Sequence, residues 1–170
     1  MKLQEIDKII YKKRLNLLTG ITLLVLLVTS LSVSNILIAF FGSGVDGDHF
    51  WLNLIGVAFG LLVISIVYKV ILSKPFMAEV NYVRNLKKEM NRIYRKSKLV
   101  QEKVAEDNKD ALIVSFFNLQ ASKQVYELDN NTLTMDELNE RIRLLDEHLA
   151  KLGLTVTVDD YNQGLLSSLK

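Results

Sequence analysis

The sequence predicts an all-α membrane protein: a two-helix transmembrane hairpin followed by a cytoplasmic antiparallel helical bundle of about three helices. Two observations carry the first half of that expectation. No charged residue falls between Leu15 and Val45, and none between Phe50 and Tyr68. A hydrocarbon core of roughly 30 Å needs about 20 apolar helical residues, and each run supplies them. The third observation is the change of character beyond Tyr68, where the chain becomes charged and helix-favouring, with Pro75 the one proline in 170 residues.

In chain order, residues 1–14 form a basic N-terminal segment ending in Lys12, Lys13 and Arg14. Residues 15–41 form the first span. The run is too long for the apolar core of a cleaved secretory signal, and no A-x-A-like site follows a short core, so it reads as a retained anchor. Residues 42–49 make a short loop, and residues 50–72 form the second span, rimmed by Phe50 and Trp51 at one end and Tyr68 at the other, as interfacial aromatic belts require. Lys12, Lys13 and Arg14 flank one outer end of the hairpin, and Lys69 and Lys74 the other, whereas the loop holds Asp46 and Asp48 and no Lys or Arg. Short basic flanks stay inside, so both termini are expected in the cytoplasm.

Small and polar residues suggest how the spans pack. Asn53, Gly56 and Gly60 recur at helical spacing on the second span, and Ser32, Asn35 and Ala39 share a face of the first. Glycines four apart allow backbones to approach closely in lipid. The two faces are expected to meet within the hairpin, with the Asn35 amide hydrogen-bonded at about the depth of Gly56. Two other readings stay open: the glycines pair two protomers, or they are incidental.

Residues 73–170 are expected to form the cytoplasmic domain. Phe76, Val80, Val83, Met90, Ile93 and Val100 trace one face of a helix over residues 76–104, with Arg84, Lys87, Lys88, Arg92, Arg95 and Lys96 dominating the rest. A second helix, from Ala111 through Leu112, Phe117 and Val125, is apolar enough to form the centre of a core. The third begins at a T-M-D-E capping box, Thr134 to Glu137. Leu138, Ile142, Leu145 and Leu149 follow at helical spacing, either as intramolecular core or as a self-association seam, and Gly153 stops the helix in a left-handed conformation. A weak last helix through Leu165, Leu166 and Leu169 closes the chain.

The strings HFWLNLIGVAFG (His49–Gly60), KPFMAEVNYVRNLKKEMNRIYRK (Lys74–Lys96) and YELDNNTLTMDELN (Tyr126–Asn139) resemble a two-span inner-membrane family of Gram-negative bacteria known only as a domain of unknown function. The resemblance extends over most of the chain. It implies a bacterial inner (cytoplasmic) membrane location and two spans, and it brings no catalytic residues.

Chemistry-bearing patterns are sparse. Cysteine is absent, which removes disulfides and thiolate metal sites. His49 and His148, the two histidines, fall on opposite sides of the membrane in this topology. The stretch from Asp129 to Glu140 imitates a calcium loop but has Leu133 and Thr134 where an oxygen ligand and a glycine belong. No nucleotide-binding, zinc-protease or serine-hydrolase motif occurs, so no catalytic, cofactor-binding or metal residues are expected, and no cofactor.

Charge is distributed unevenly: Lys69 to Lys103 holds ten Lys and Arg against three Asp and Glu, and Val104 to Lys170 holds six against twelve. The basic part adjoins the membrane. Lys69, Lys74, Arg84, Lys87, Lys88, Arg92, Arg95 and Lys96 are therefore candidates for anionic headgroup contact, each worth about 1 kcal/mol beside such a surface; lipid is a more economical partner than nucleic acid. The expected function is non-enzymatic: an inner-membrane protein presenting a helical interaction or scaffold module to a cytoplasmic protein partner. The alternative is an oligomeric channel or transporter-accessory subunit, a homo-oligomer assembled through Gly56 and Gly60.

Overall fold

The computed structural model describes residues 2–42 and 49–169. All its regular elements are helical: α1 (Lys8–Phe41), α2 (Phe50–Leu72), a 3₁₀ turn (Pro75–Met77), α3 (Ala78–Arg95), α4 (Ser97–Ala105), α5 (Lys109–Asp129), α6 (Met135–Lys151), a second 3₁₀ turn (Val158–Asp160) and α7 (Gln163–Ser168). The expectations about Asp46 and Asp48 lie outside the described residues. The chain divides into two compact units, one of Ile9–Asn81 and one of Met1–Lys8 with Tyr82–Lys170.

In the unit of Ile9–Asn81, α1 and α2 are apolar on nearly every side. Each contains an 18-residue window with a mean hydropathy of 2.4, of which only 11% is buried. The residues α1 does bury are Tyr11, Leu18, Ser30 and Ser34, and those of α2 are Gly56, Gly60 and Leu72. Leu24, Leu31, Phe40 and Trp51 remain exposed. Pro75 occupies the first position of the 3₁₀ turn, where a missing N–H costs nothing. The Arg14 guanidinium pairs with the Glu79 carboxylate.

The other unit is built around α5, which buries the consecutive residues Ala111, Leu112, Ile113 and Val114 and, further on, Phe117, Leu119, Ala121, Val125 and Leu128. Burial of four residues in a row requires neighbours on every side of the helix, the signature of a central element. Leu138, Leu145 and Leu149 of α6 join Leu112 and Leu119 in one cluster, with Ile142 packed against it. The leucine repeat of α6 is thus intramolecular core.

The expected single helix over residues 76–104 is interrupted. Lys96 leaves helical geometry at φ −110°, ψ 15°, and its N–H bonds back only three residues, to the Ile93 carbonyl (2.9 Å). Such 3₁₀ tightening ends α3 and lets α4 set off afresh. Phe76, expected on the buried face, is 47% exposed, and Met77 fills the interior in its place. Gly153 stops α6 at φ 64° as expected.

The capping box at Thr134 does not form: its φ of −110° and ψ of 9° lie away from the extended region, and its side chain makes no cap hydrogen bond. In this unit the side-chain caps sit elsewhere. The Asn108 side chain accepts from the Ala111 N–H at 3.1 Å, and over the second 3₁₀ turn the Asp160 carboxylate accepts from the Thr157 N–H at 2.7 Å and from its hydroxyl at 2.9 Å.

Candidate functional site

Two places bring small or polar side chains together in ways that simple burial of apolar surface does not demand. The first is the seam between α1 and α2. A Cβ added to Gly56 would overlap Ser34 Oγ and lie 2.8 Å from the Ser30 carbonyl oxygen and 3.0 Å from the Ser34 nitrogen. A Cβ added to Gly60 would overlap Ser30 Oγ and lie 3.2 Å from both Leu26 Cδ1 and Thr29 Oγ1. Ser34 therefore faces Gly56 and Ser30 faces Gly60, so the helices run antiparallel with a serine pair four apart matched to a glycine pair four apart. Reciprocal small residues let the backbones approach and bring Cα–H groups toward oxygen. Ser34 Oγ reaches the Asn53 carbonyl only at 3.5 Å. Ser30 Oγ is buried and has no hydrogen-bond partner among the described residues.

The expected partner face on α1 is accordingly corrected. Ser32, Asn35 and Ala39 are exposed on this unit, and the stripe turned to the glycines is Ser30 and Ser34. The two sets lie about 100° or more apart around a 3.6-residue helix, so only one can face α2. Asn53 is also exposed, contributing its carbonyl rather than its amide side chain.

The second place is around Glu89. Its side chain is only 4% exposed although it lies among Lys87, Lys88 and Arg92. Tyr161 donates its hydroxyl to Glu89 Oε1 at 2.6 Å. Gln163 Nε2 and Arg92 Nη1 donate to Oε2 at 2.8 Å and 3.2 Å. A buried carboxylate is tolerable only when paired and hydrogen-bonded, and here both oxygens are engaged. The Tyr161 ring stacks on Phe117 with centroids 4.0 Å apart. Burial first, then the Glu89 hydrogen bond and negative charge, push the Tyr161 phenol above its ordinary value, so the hydroxyl remains a donor.

Beside Glu89 opens a cavity of about 290 Å³ lined by Arg92, Arg95, Lys96, Gln163, Leu166 and Ser167. Lys96 Nζ donates to the Leu166 carbonyl at 2.8 Å. Of the basic residues expected at a lipid surface, Lys87 instead pairs with Asp129 at 2.6 Å, and Arg92 and Lys96 are engaged as described. Lys69, Lys74, Arg84, Lys88 and Arg95 are exposed.

A family model described as "Protein of unknown function (DUF3087)" matches residues 1–166. The chain belongs to this family. No curated protein and no solved structure matches it. The α1–α2 seam and the Glu89 cluster fall inside the matched range of the DUF3087 chain, and of the cavity lining Ser167 lies one residue beyond it. Neither Ser30 and Ser34 nor Glu89 stood out in the sequence. The available signals were the four-residue spacing shared by the serines and the glycines, and the position of Glu89 on the Leu86–Ile93 stripe, three residues from one and four from the other.

Proposed function

We propose that this DUF3087 chain is a two-span protein of the bacterial inner membrane that holds a non-enzymatic helical interaction module on the cytoplasmic side. The observation carrying the membrane half is the low burial of α1 and α2: a soluble core helix of such hydropathy would be mostly covered, whereas here 11% of each apolar window is buried. Leaving that much apolar surface in water is unfavourable at roughly 25 cal/mol per Å². The 23 residues of α2 extend about 35 Å at 1.5 Å per residue, enough for one crossing.

Lys12, Lys13, Arg14, Lys69 and Lys74 at the outer ends of the hairpin support a cytoplasmic placement of both termini. Lys69 in the last turn of α2 and Lys74 just beyond the helix support contact with anionic headgroups. The channel or transporter-accessory alternative receives less support, because Gly56 and Gly60, which would have assembled it, pack within the hairpin.

Reporter fusions in cells test the topology. A reporter active only outside the cytoplasm should be silent at the C-terminus and active when inserted among residues 43–48; activity at the C-terminus overturns the orientation. In-cell crosslinking of the full chain followed by mass spectrometry should then recover a protein partner attached through α3–α7. Recovery of self-contacts through the apolar helices, with ion flux in reconstituted vesicles, would favour the channel alternative.

A further inference from the structure

We propose that the cavity between the last turn of α3, Lys96 and α7 is a binding site for a phosphate-type dianion. The inference stands whether or not the apolar helices span a membrane. The cavity lining carries three cations, Arg92, Arg95 and Lys96, against one carboxylate, Glu89. Glu89 keeps its negative charge while Tyr161, Gln163 and Arg92 donate to its oxygens, and it offsets one of the three cations. Two positive charges are left over in one concavity.

The donors have different holds on the protein. Lys96 is fixed through a single N–H to the Leu166 carbonyl, which leaves two ammonium donors to turn to a ligand. Arg92 spends Nη1 on Glu89, and its other guanidinium N–H groups are uncommitted among the described residues. The Arg95 side chain makes no hydrogen bond or ion pair among the described residues. Ser167 also lines the wall, but its hydroxyl donates to the Gln163 carbonyl at 3.3 Å and reaches a ligand only by turning from that bond. Guanidinium groups recognise phosphate oxygens in pairs, and an ammonium adds a point charge.

A simpler account exists for part of this arrangement. Arg92 and Arg95 sit in the last turn of α3, where cations complement the helix dipole. That explains basic residues in the turn, but not their convergence with Lys96 and Ser167 on one cavity, nor a buried acid that holds Arg92 and Gln163 in place. A volume of about 290 Å³ is at the small end for ligand pockets and suits a compact anion. A free phosphate or phosphomonoester and the headgroup of an anionic lipid share that chemistry.

The test uses the full chain in non-ionic detergent, with inorganic phosphate as probe, at pH 8 and constant ionic strength. Phosphorus NMR should report saturable, single-site binding. Arg95→Gln and Lys96→Gln should each weaken it at least tenfold, and Lys151→Gln, an exposed cation of α6 outside the cavity, should leave it unchanged. A second arm embeds the same proteins in nanodiscs of phosphatidylcholine with or without phosphatidic acid and reads retained lipid by native mass spectrometry. Phosphatidic acid retained selectively, and lost in Arg95→Gln, with no uptake of inorganic phosphate assigns the site to a lipid headgroup. Uptake of inorganic phosphate assigns it to a soluble anion. No binding in either arm, or equal loss in Arg95→Gln and Lys151→Gln, overturns the proposal. Arg95→Gln removes no bond described within the protein, so it decides the matter even if Lys96→Gln fails to fold.

Discussion

The Tyr161 hydroxyl reaches across 72 residues of sequence to donate a 2.6 Å hydrogen bond to the buried carboxylate of Glu89. That bond fastens the segment after α6 to α3, while the ring of the same tyrosine stacks on Phe117 of α5. One side chain thereby ties three parts of the unit together through a polar end and an apolar face.

Tyr161→Phe isolates the polar end, because the ring and its stacking survive. Loss of the donor leaves one carboxylate oxygen of Glu89 unsatisfied in a buried place, which should cost about 1–3 kcal/mol in chemical denaturation. The pH dependence has a definite sign. The folded phenol titrates above the ordinary value of 10.0, so its stabilising contribution is complete below pH 10 and is lost as pH rises from there through the folded value. Wild type should lose more stability than Tyr161→Phe between pH 10 and 12. Parallel stability curves over that range would remove the phenol from any such role.

Helix starts provide a second contrast. Asn108 accepts from the Ala111 N–H at 3.1 Å, whereas Thr134 makes no side-chain cap bond. Asn108→Ala should therefore destabilise the chain by about 1 kcal/mol, and Thr134→Ala by less than about 0.5 kcal/mol. Thermal or denaturant unfolding of the two variants checks the order, and a larger loss at Thr134 would mean that its capping box forms in solution.

The Thr134 case also indicates where reading from sequence stops. Patterns that depend on near neighbours and burial were legible: two long apolar helices, the central α5, the α6 leucines and the left-handed Gly153 all occur where spacing placed them. The box at Thr134 depends on one residue's backbone angles, which T-M-D-E permits without imposing. Glu89 was hidden differently. Its own helix presents it within a basic run, and the groups that make its burial tolerable, Tyr161 and Gln163, stand 72 and 74 residues further along the chain, a pairing that no local spacing encodes. In the hairpin the depth was nearly right, with Ser34 rather than Asn35 opposite Gly56. A shift of one residue turns a helix by about 100°, so nearly correct depth still gave the wrong face.

That seam yields the last prediction, in which two glycines of equal spacing should respond unequally. A methyl group at Gly56 would meet backbone, with the Ser30 carbonyl oxygen at 2.8 Å and the Ser34 nitrogen at 3.0 Å. Backbone cannot turn aside, so α1 and α2 must separate, and Gly56→Ala should cost about 1–3 kcal/mol. At Gly60 every near atom belongs to a side chain: Ser30 Oγ, Leu26 Cδ1 and Thr29 Oγ1. These can rotate away, and Gly60→Ala should cost less than about 1 kcal/mol. Ser30→Ala removes both the nearest obstacle and a buried hydroxyl without a partner. It should stabilise the hairpin by about 1 kcal/mol and abolish most of the Gly60→Ala penalty in the double variant. Unfolding of the full chain in mild detergent, followed by helical circular dichroism, measures all four proteins. If Gly60→Ala proved the more damaging glycine variant, or if Ser30→Ala failed to relieve it, the pairing of Ser34 with Gly56 and Ser30 with Gly60 would be wrong.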